Sequence, residues 1–283
     1  ETWALVRKLQ PGAVIFSDMG PDIRWVGNER GYAGAPCWAT YTPQPREPGG
    51  EPAPGLTAYK QAQQGHVDGK YWMPAEVDVS IRPGWFYHPD EDEQVKTPEK
   101  LLRIYYESVG RGAGLLLNLP PDRRGRIHEN DVAALRGLRA RLDAIFETNL
   151  ALDAATTATN ARGGAERFAA AHVADADRET YWATDDGVTG AAVELDFGAP
   201  RRFDHVVVQE YIELGQRVRG FTVEARQTGV WRPAAEGASI GWKRILRFDP
   251  VRADAVRLVI EEAAACPAIS TVGVYAGPAA SGK

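Results

Sequence analysis

A short stretch of the chain, residues 13–31, carries several side chains that could do chemistry. It opens with the apolar run Ala13–Phe16, which is too short for a helix, so we expect a strand over residues 13–18 that is buried on both faces. The loop that follows contains carboxyl, guanidinium, indole and amide groups: Asp22, Arg24, Trp25, Asn28 and Glu29. Because ligands of parallel α/β folds bind at the carboxyl ends of strands, this loop is a candidate functional site.

Glu29 is the candidate catalytic residue of this loop. The flanking Gly27 and Gly31 would let the backbone approach a bound molecule closely, and Trp25 offers an apolar face that would partly desolvate the carboxyl group. A carboxyl group in such an environment suits general acid/base chemistry. The alternative is that Glu29 is simply solvated, as a glutamate in a glycine-containing loop usually is.

A second cluster of side chains follows the next predicted strand. Residues 71–81 alternate apolar and polar side chains, which predicts a strand, and the aromatic run Trp85–His88 comes soon after it. Aromatic rings in such a loop can stack on a sugar ring, although Trp85 and Phe86 could instead be core residues under the rim of the sheet. The acidic run Asp90–Glu93 is typical of a solvated loop.

The elements around these loops alternate between strands and amphipathic helices. We predict helices over residues 2–10, 97–109 and 128–146, and strands over residues 13–18, 71–81 and 114–119. Thr97 is the expected N-cap of the second helix. The Pro- and Gly-rich stretch 37–69 is predicted to be a lid or subsite wall, or else disordered over residues 43–56.

This α/β succession predicts that residues 1–147 form the later part of a (β/α) barrel. A complete barrel needs about 250 residues, so we expect its first strands to lie outside this sequence. The chain begins inside a predicted helix without an initiator methionine, and we therefore interpret it as a fragment.

From Ala151 onward the pattern changes to short strands separated by turns. Six strands are expected, at residues 192–197, 205–209, 221–225, 244–248, 256–260 and 271–275. They predict an antiparallel β-sandwich (jelly roll) over residues 151–277, with a tail at 278–283. Asp175 and Asp177 are candidate oxygen ligands for a structural Ca²⁺ in this sandwich, although two spaced aspartates are more often part of a turn.

The bulk properties exclude several classes of function. A net charge of −5 and a pI near 5.7 argue against a nucleic-acid surface, which would need a clustered basic excess. No run approaches 18 consecutive apolar residues, so we predict no membrane span. The two cysteines, Cys37 and Cys266, lie in different predicted domains and have no zinc-site spacing.

Four stretches of the chain resemble glycoside hydrolase family 29 α-L-fucosidases, in the order in which that family carries them. Ser17–Glu29 is similar to the segment that carries the general acid/base in the branch acting on α-1,3/1,4-linked fucose, and Pro83–His88 and Thr97–Pro121 are similar to later segments. The C-terminal part resembles a discoidin or factor-5/8 type C module. Gln216 and Arg217 could face a glycan or the barrel. They belong to a pattern that accompanies the fucosidase barrel, so we expect them at the interface with the barrel.

The resemblance implies a retaining exo-α-L-fucosidase that releases α-1,3/1,4-linked fucose from oligosaccharides or glycoconjugates by double displacement and requires no cofactor. It implies that Glu29 is the general acid/base, that Trp85 lies near the C5 methyl group of fucose, and that Glu91 contacts the galactose of the acceptor. The other substrate-binding candidates are Arg24, Trp25, Tyr87 and His88. The family also suggests a periplasmic or secreted protein.

The same resemblance implies a nucleophile that this sequence does not contain. The family nucleophile is an aspartate in a Trp-Phe-Asp-Gly motif on an earlier strand, and the motif is absent here. Asp18 is not assigned this role, because we expect it to orient its loop through hydrogen bonds. The 283 residues alone are therefore expected to be inactive, with the N-terminal half of the barrel as their partner.

Two other classes of function stay open at this point. The chain could be a carbohydrate-binding protein with a catalytically dead barrel remnant. It could also be a complete glycosidase of another type, in which Glu29 pairs with Asp18 or Glu76.

Overall fold

A computed structural model describes residues 2–152 and 154–278. Glu1, Asp153 and residues 279–283, which include nearly all of the predicted tail, lie outside the described residues. No helix in the described part of the chain is both long and apolar enough to cross a membrane.

The first part of the chain is built on a parallel sheet. In chain order its elements are α1 (Thr2–Leu9), β1 (Phe16–Ser17), β2 (Ile23–Trp25), β3 (Thr40–Tyr41), α2 (Tyr59–Gln64), β4 (Tyr71–Trp72), β5 (Ala75–Ser80), α3 (Pro98–Glu107), β6 (Gly114–Asn118) and α4 (Glu129–Phe146). Strands β1, β2, β5 and β6 pair in that order and are all parallel, while β3 and β4 form a separate antiparallel pair. Strands that alternate with helices in one parallel sheet are those of a partial (β/α) barrel.

Strand β1 is shorter and more open than the sequence predicts. Only Phe16 and Ser17 pair with β2, and the Val14 side chain is 65% exposed, whereas we expected residues 13–18 to be buried on both faces. The prediction was wrong because β1 is the edge strand of the described sheet and has a neighbour on one side only. At the other edge, Leu116 of β6 is 43% exposed, because it pairs with Asp78 on the open face of the sheet, whereas Leu115 and Leu117 pack on the buried face.

Strand β2 is not visible in the sequence pattern, because three residues are too few to show an alternation. Its pairing with β1 and β5 places Arg24 and Trp25 on a strand, not in the loop that we predicted. Successive side chains of a strand point to opposite faces, so these two residues lie in different environments.

The helices α3 and α4 begin at side-chain caps. Thr97 accepts a hydrogen bond from the backbone N–H of Lys100, as its position predicts, and His128 accepts one from the N–H of Asn130. Both helices pack on the outer face of the sheet. The cluster buried there contains Val79, Ile81, Leu101, Ile104 and Ala134.

The second part of the chain is an antiparallel β-sandwich. Its strands are β7 (Ala155–Ala158), β8 (Trp182–Ala183), β9 (Ala191–Glu210), β10 (Val218–Gln227), β11 (Val230–Gly237), β12 (Arg244–Ala263) and β13 (Ala268–Tyr275). The first half of β9 pairs with β7 and with the second half of β12, which continues to β10 and β11. The second half of β9 pairs with the first half of β12 and with β13, which continues to β8.

Two of the predicted turns are bends inside long strands. We expected separate strands at residues 192–197 and 205–209, and again at 244–248 and 256–260, but each pair forms one strand of 20 residues. The register between β9 and β12 shifts between Arg247 and Val251, and such irregularities bend a strand without ending its pairing. One strand can therefore belong to both layers of the sandwich. A turn signal in the sequence does not show whether the strand bends or ends at that point.

Side chains of the sandwich bond directly to the barrel part. Gln216 donates from Nε2 to the carbonyl of Cys37 (3.1 Å) and accepts at Oε1 from the N–H of Ala39 (2.7 Å), as we predicted for the interface. Trp242 donates from Nε1 to the carbonyl of Gly112 (2.6 Å). Arg217 differs from the prediction, because its guanidinium bonds to carbonyl groups of the sandwich itself.

We expect the stability of the protein to fall as the pH rises from about 4.5 to about 7. Glu210 is only 3% exposed, and burial raises the pKa of its carboxyl group to about 7, although three backbone N–H groups donate to it. The folded protein thus keeps a proton that the unfolded chain loses near pH 4.5. The contribution of this proton to the free energy of unfolding is fully present below pH 4.5 and is lost as the pH rises through about 7.

Unfolding in urea at a series of pH values measures this effect, whose full size is about 3 kcal/mol. Glu210→Gln, which has nearly the shape of the protonated carboxyl group, should flatten the dependence. Equal pH slopes for the two proteins would contradict the assignment.

Candidate active site

One face of the parallel sheet carries a row of polar side chains. The register pairs Trp25 with Glu76, and Ser80 with Asn118, so these residues share a face with Asp78. The opposite face carries Val77 and Val79, which belong to the buried clusters on the outer side of the sheet. The polar row therefore lies on the inner face of the partial barrel and leads to the carboxyl ends of the strands.

Glu29 meets Trp85 at this end of the sheet. The Trp85 indole donates from Nε1 to Glu29 Oε2 at 2.9 Å, and the Glu29 carboxyl group is otherwise exposed. The loop that carries Glu29 passes close to α2 at Gly27. A Cβ added to Gly27 would lie 2.3 Å from Tyr59 Cβ, and the φ of +76° is one that residues with a side chain rarely adopt. Gly27 is therefore needed for the course of this loop.

The ends of two strands hold Trp85 in place. Asn118 of β6 donates from Nδ2 to the carbonyl of Trp85 (3.0 Å) and to Ser80 Oγ (3.1 Å). Ser80 of β5 in turn donates to the carbonyl of Gly84 (2.6 Å). Because these bonds fix the backbone on both sides of the indole, the donor that contacts Glu29 is oriented before any ligand binds.

Trp25 contacts Asp78 and not Glu29. Its Nε1 donates to Asp78 Oδ1 (2.6 Å), and its ring packs edge-on against Tyr59 at 5.1 Å. The indole beside Glu29 is thus that of Trp85, which differs from our expectation for Trp25. Burial raises the pKa of Asp78, and the nearby Glu29 raises it further. The hydrogen bond from Trp25 lowers the pKa but does not outweigh burial.

A second carboxyl group on the same face also holds its proton more tightly than usual. Burial raises the pKa of Glu76, and the neighbouring Asp78 raises it further. Asp78 and Glu76 are therefore two neighbouring acids with raised pKa values, the type of environment in which enzymes perform proton transfer.

Arg24 has a structural role in this fold. Its guanidinium is fully buried, and it donates to the carbonyls of Ala62 (2.8 Å) and Met73 (2.5 Å). It lies on the face of β2 opposite to Trp25, which excludes the substrate contact that we predicted. The long segment 37–69 is held to the sheet by this residue.

Asp18 also holds that segment. Its Oδ2 accepts hydrogen bonds from the N–H of Gly55 (2.9 Å) and the hydroxyl of Thr57 (2.7 Å), and the residue is only 6% exposed. These bonds order one side of the loop at residues 43–56, for which the sequence left disorder open. They also agree with the orienting role that we expected for Asp18.

Three other predicted residues lie in the segment after Trp85. Tyr87 donates to Asp92 Oδ2 (3.3 Å), and His88 is exposed at the start of the 3-10 turn Pro89–Gln94. Glu91 turns its carboxyl group toward Gly84, where an added Cβ would lie 3.7 Å from Oε1. Its Oε2 is buried and has no hydrogen-bond partner among residues 2–152 and 154–278.

A buried ion-pair network fixes this segment to α4. Arg82 is fully buried and donates to Asp131 Oδ2 (3.0 Å) and to Asp92 Oδ1 (2.9 Å). The Arg82 guanidinium also packs over the Tyr87 ring at 4.8 Å. Asp131 is completely buried and the Asp92 side chain is 24% exposed, so the pair of Arg82 with Asp131 is the part of the network that is shielded from water.

Asp175 and Asp177 serve a turn of the sandwich. Asp175 accepts from the Thr180 hydroxyl (2.7 Å) and the N–H of Asp177 (2.9 Å), and Asp177 accepts from the N–H of Glu179 (2.9 Å). Within the described ranges, no three His, Cys, Asp or Glu side chains gather as a metal site. On these observations the two aspartates do not fit a carboxylate-rich calcium site, and Ca²⁺ binding stays a prediction.

Sequence reasoning missed Asp78, Ser80 and Arg82. Asp78 and Ser80 alternate with Val77 and Val79 along one strand, so polar side chains at every second position could have indicated the inner face. Arg82 carries no such signal, since the sequence does not show that Asp131, 49 residues later, lies beside it.

Two parts of the chain match known protein families. A family model described as Alpha-L-fucosidase matches residues 43–144, and one described as F5/8 type C domain matches residues 154–271. Alpha-L-fucosidase 1 of Arabidopsis thaliana is 38% identical over 280 residues, which cover 97% of this chain and 54% of the plant protein. Over nearly its whole length the chain is therefore similar to α-L-fucosidases of glycoside hydrolase family 29.

Solved structures of family 29 fucosidases have the same fold. The crystal structure of SpGH29 superposes with a TM-score of 0.86 at 37% identity, covering 98% of this chain and 59% of that one. A Ruminococcus gnavus GH29 fucosidase in complex with fucose superposes with a TM-score of 0.80 at 32% identity, covering 91% of this chain and 51% of that one. The chain spans about half the length of the curated relatives it matches.

Proposed function

We propose that the whole protein is a retaining exo-α-L-fucosidase and that this chain supplies its general acid/base, Glu29. The observation that carries the proposal is the bond between Trp85 and Glu29 at the carboxyl ends of the strands, in a chain similar to this family. An oriented, solvent-accessible carboxyl group at that position can reach the glycosidic oxygen of a sugar bound over the sheet.

In this mechanism Glu29 acts twice. It protonates the leaving oxygen while a second carboxylate attacks the anomeric carbon, and it then deprotonates the water that releases fucose. The two carboxyl groups of a retaining enzyme lie about 5–5.5 Å apart. Asp18 does not suit the second role, because it is buried and bonded to Gly55 and Thr57. We assign the nucleophile to a part of the whole protein outside these 283 residues.

We further propose that the substrates carry α-1,3- or α-1,4-linked fucose. Glu91 supports this preference, since its carboxyl group lies beside Gly84, the residue before Trp85. Trp85, half-buried next to Glu29, offers an apolar face for the fucose methyl group.

Time-resolved NMR of the full-length polypeptide tests the proposal. A branched trisaccharide with α-1,3-linked fucose should be cleaved at least tenfold faster than 2′-fucosyllactose, and α-fucose should appear before its anomer. Comparable rates would contradict the linkage preference, and β-fucose as first product would contradict retention. Binding of these glycans without any cleavage would favour the carbohydrate-binding alternative.

Removal of the indole donor should slow the full-length enzyme. We expect Trp85→Phe to lower kcat/KM about 10-fold or more, because a hydrogen bond to a charged group contributes roughly 1.5–3 kcal/mol. Trp25→Phe is the matched control, since it removes the bond to Asp78 and leaves the Glu29 donor in place. An equal loss in both variants would show that the bond to Glu29 has no special role.

A further inference from the structure

A cleft of about 750 Å³ lies between the barrel part and the sandwich. Its walls come from the last turns of α3 and α4 on one side and from β9, β12 and β13 on the other. Helices of a β/α unit run antiparallel to its strands, so these helix ends lie at the opposite edge of the sheet from Glu29. The cleft is therefore separate from the candidate active site.

Two cations face this cleft without a counter-ion. Lys243 and Arg178 line it, and neither forms an ion pair with another described residue. Both cations line the same cleft, and the pKa of the half-buried Lys243 ammonium is lowered by burial and further by Arg178. The wall formed by α4 differs, because its Arg139 is already paired with Asp143 at 2.7 Å and the exposed Glu147 follows at the end of the helix.

Aromatic rings form another wall of the cleft. Phe146 packs edge-on against Tyr275 at 5.3 Å and lies 6.5 Å from Tyr105. Neither tyrosine hydroxyl bonds to any residue in the described ranges, and burial raises the pKa of both. The Tyr275 ring lies against Gly273, where an added Cβ would be 2.7 Å from its hydroxyl oxygen.

We propose that this cleft is a second binding site, which takes an acidic saccharide whose carboxylate or sulfate group pairs with Lys243 and Arg178. The tyrosine hydroxyls would donate to the anion or to ring hydroxyl groups, and the aromatic rings would cover an apolar face of the sugar. The volume is within the range of roughly 300–1,000 Å³ that ligand sites occupy. A neutral sugar would leave both cations unpaired and partly desolvated, so charge selects the acidic ligand.

This second site goes beyond the proposed hydrolysis and does not depend on it. Binding of an acidic glycan at this edge would hold the protein on that glycan. The candidate active site would then stay near fucose residues of the same glycan or of a neighbouring one. The site can therefore be tested by binding alone.

Calorimetric titration of the full-length polypeptide tests the proposal with trigalacturonate, a sulfated galactobiose and neutral galactotriose. We expect one or both acidic sugars to bind at least tenfold more tightly than the neutral one, and which of them binds identifies the anion. Lys243→Met should weaken this binding about tenfold or more. Raising NaCl from about 50 mM to about 500 mM should also weaken it, because half-exposed charges are screened.

Three further variants keep the test decisive. Tyr275→Phe retains the packed ring and removes only the hydroxyl, so binding should weaken about threefold even if Lys243→Met folds poorly. Arg252→Gln, an exposed arginine that does not line the cleft, should bind normally. Glu29→Gln should also bind normally, which separates this site from the proposed catalysis. Binding unaffected by both cleft variants, or equal affinity for neutral and acidic sugars, would overturn the proposal.

Discussion

Glu29→Gln in the full-length protein is expected to lower kcat for a fucosylated oligosaccharide by about 10²–10⁴-fold. The amide has nearly the shape of the carboxyl group and can still accept the Trp85 bond, but it cannot transfer a proton. A sugar leaving group departs as an alkoxide without that proton, so the first step is slowed most. Steady-state hydrolysis of a trisaccharide measures the effect.

An aryl fucoside with a good leaving group is the matched control substrate. Its phenolate departs without protonation, so the first step should be nearly normal and the second should limit turnover. Azide should then restore turnover and yield α-fucosyl azide, because a small anion needs no general base. Equal losses for both substrates without azide rescue would contradict the acid/base assignment.

Asp131→Ala is expected to destabilise the protein by about 3–5 kcal/mol. The substitution leaves the fully buried Arg82 with Asp92 as its carboxylate partner, and a buried charge that loses part of its compensation is costly. Urea unfolding followed by tryptophan fluorescence measures the change. The segment that carries Trp85 should also loosen, so activity should fall below that expected from the folded fraction.

Asp143→Ala is the matched control on the same helix. Its ion pair with Arg139 is largely exposed, so its loss should change stability by no more than about 0.5–1 kcal/mol. Replacing both members of the buried pair, Arg82→Met with Asp131→Leu, should recover much of the lost stability, because no buried charge is left unpaired. A small effect of Asp131→Ala would mean that water solvates Arg82 in the folded protein.

The sequence could predict elements whose signals are local. The cap at Thr97 and the apolar periods of the helices depend on residues within one or two turns, and the structure agrees with them. The sequence also predicted that the second domain is a β-sandwich, because alternating apolar and polar residues and turn signals recur along it. The sequence did not predict the short strand β2 or the continuous strands β9 and β12, because hydrogen bonds to distant strands decide where pairing starts and stops.

By itself, the sequence determined that Glu29 lies in a glycine-flanked loop after a strand, and that a second loop delivers Trp85. Only the tertiary structure decided that these two side chains meet, and that Arg24 is buried while its neighbour Trp25 faces Asp78. A residue's type and neighbours set the chemistry that it can do. The face it occupies depends on strand register, and its partners lie tens of residues away, so the packing of the whole sheet decides whether that chemistry is used.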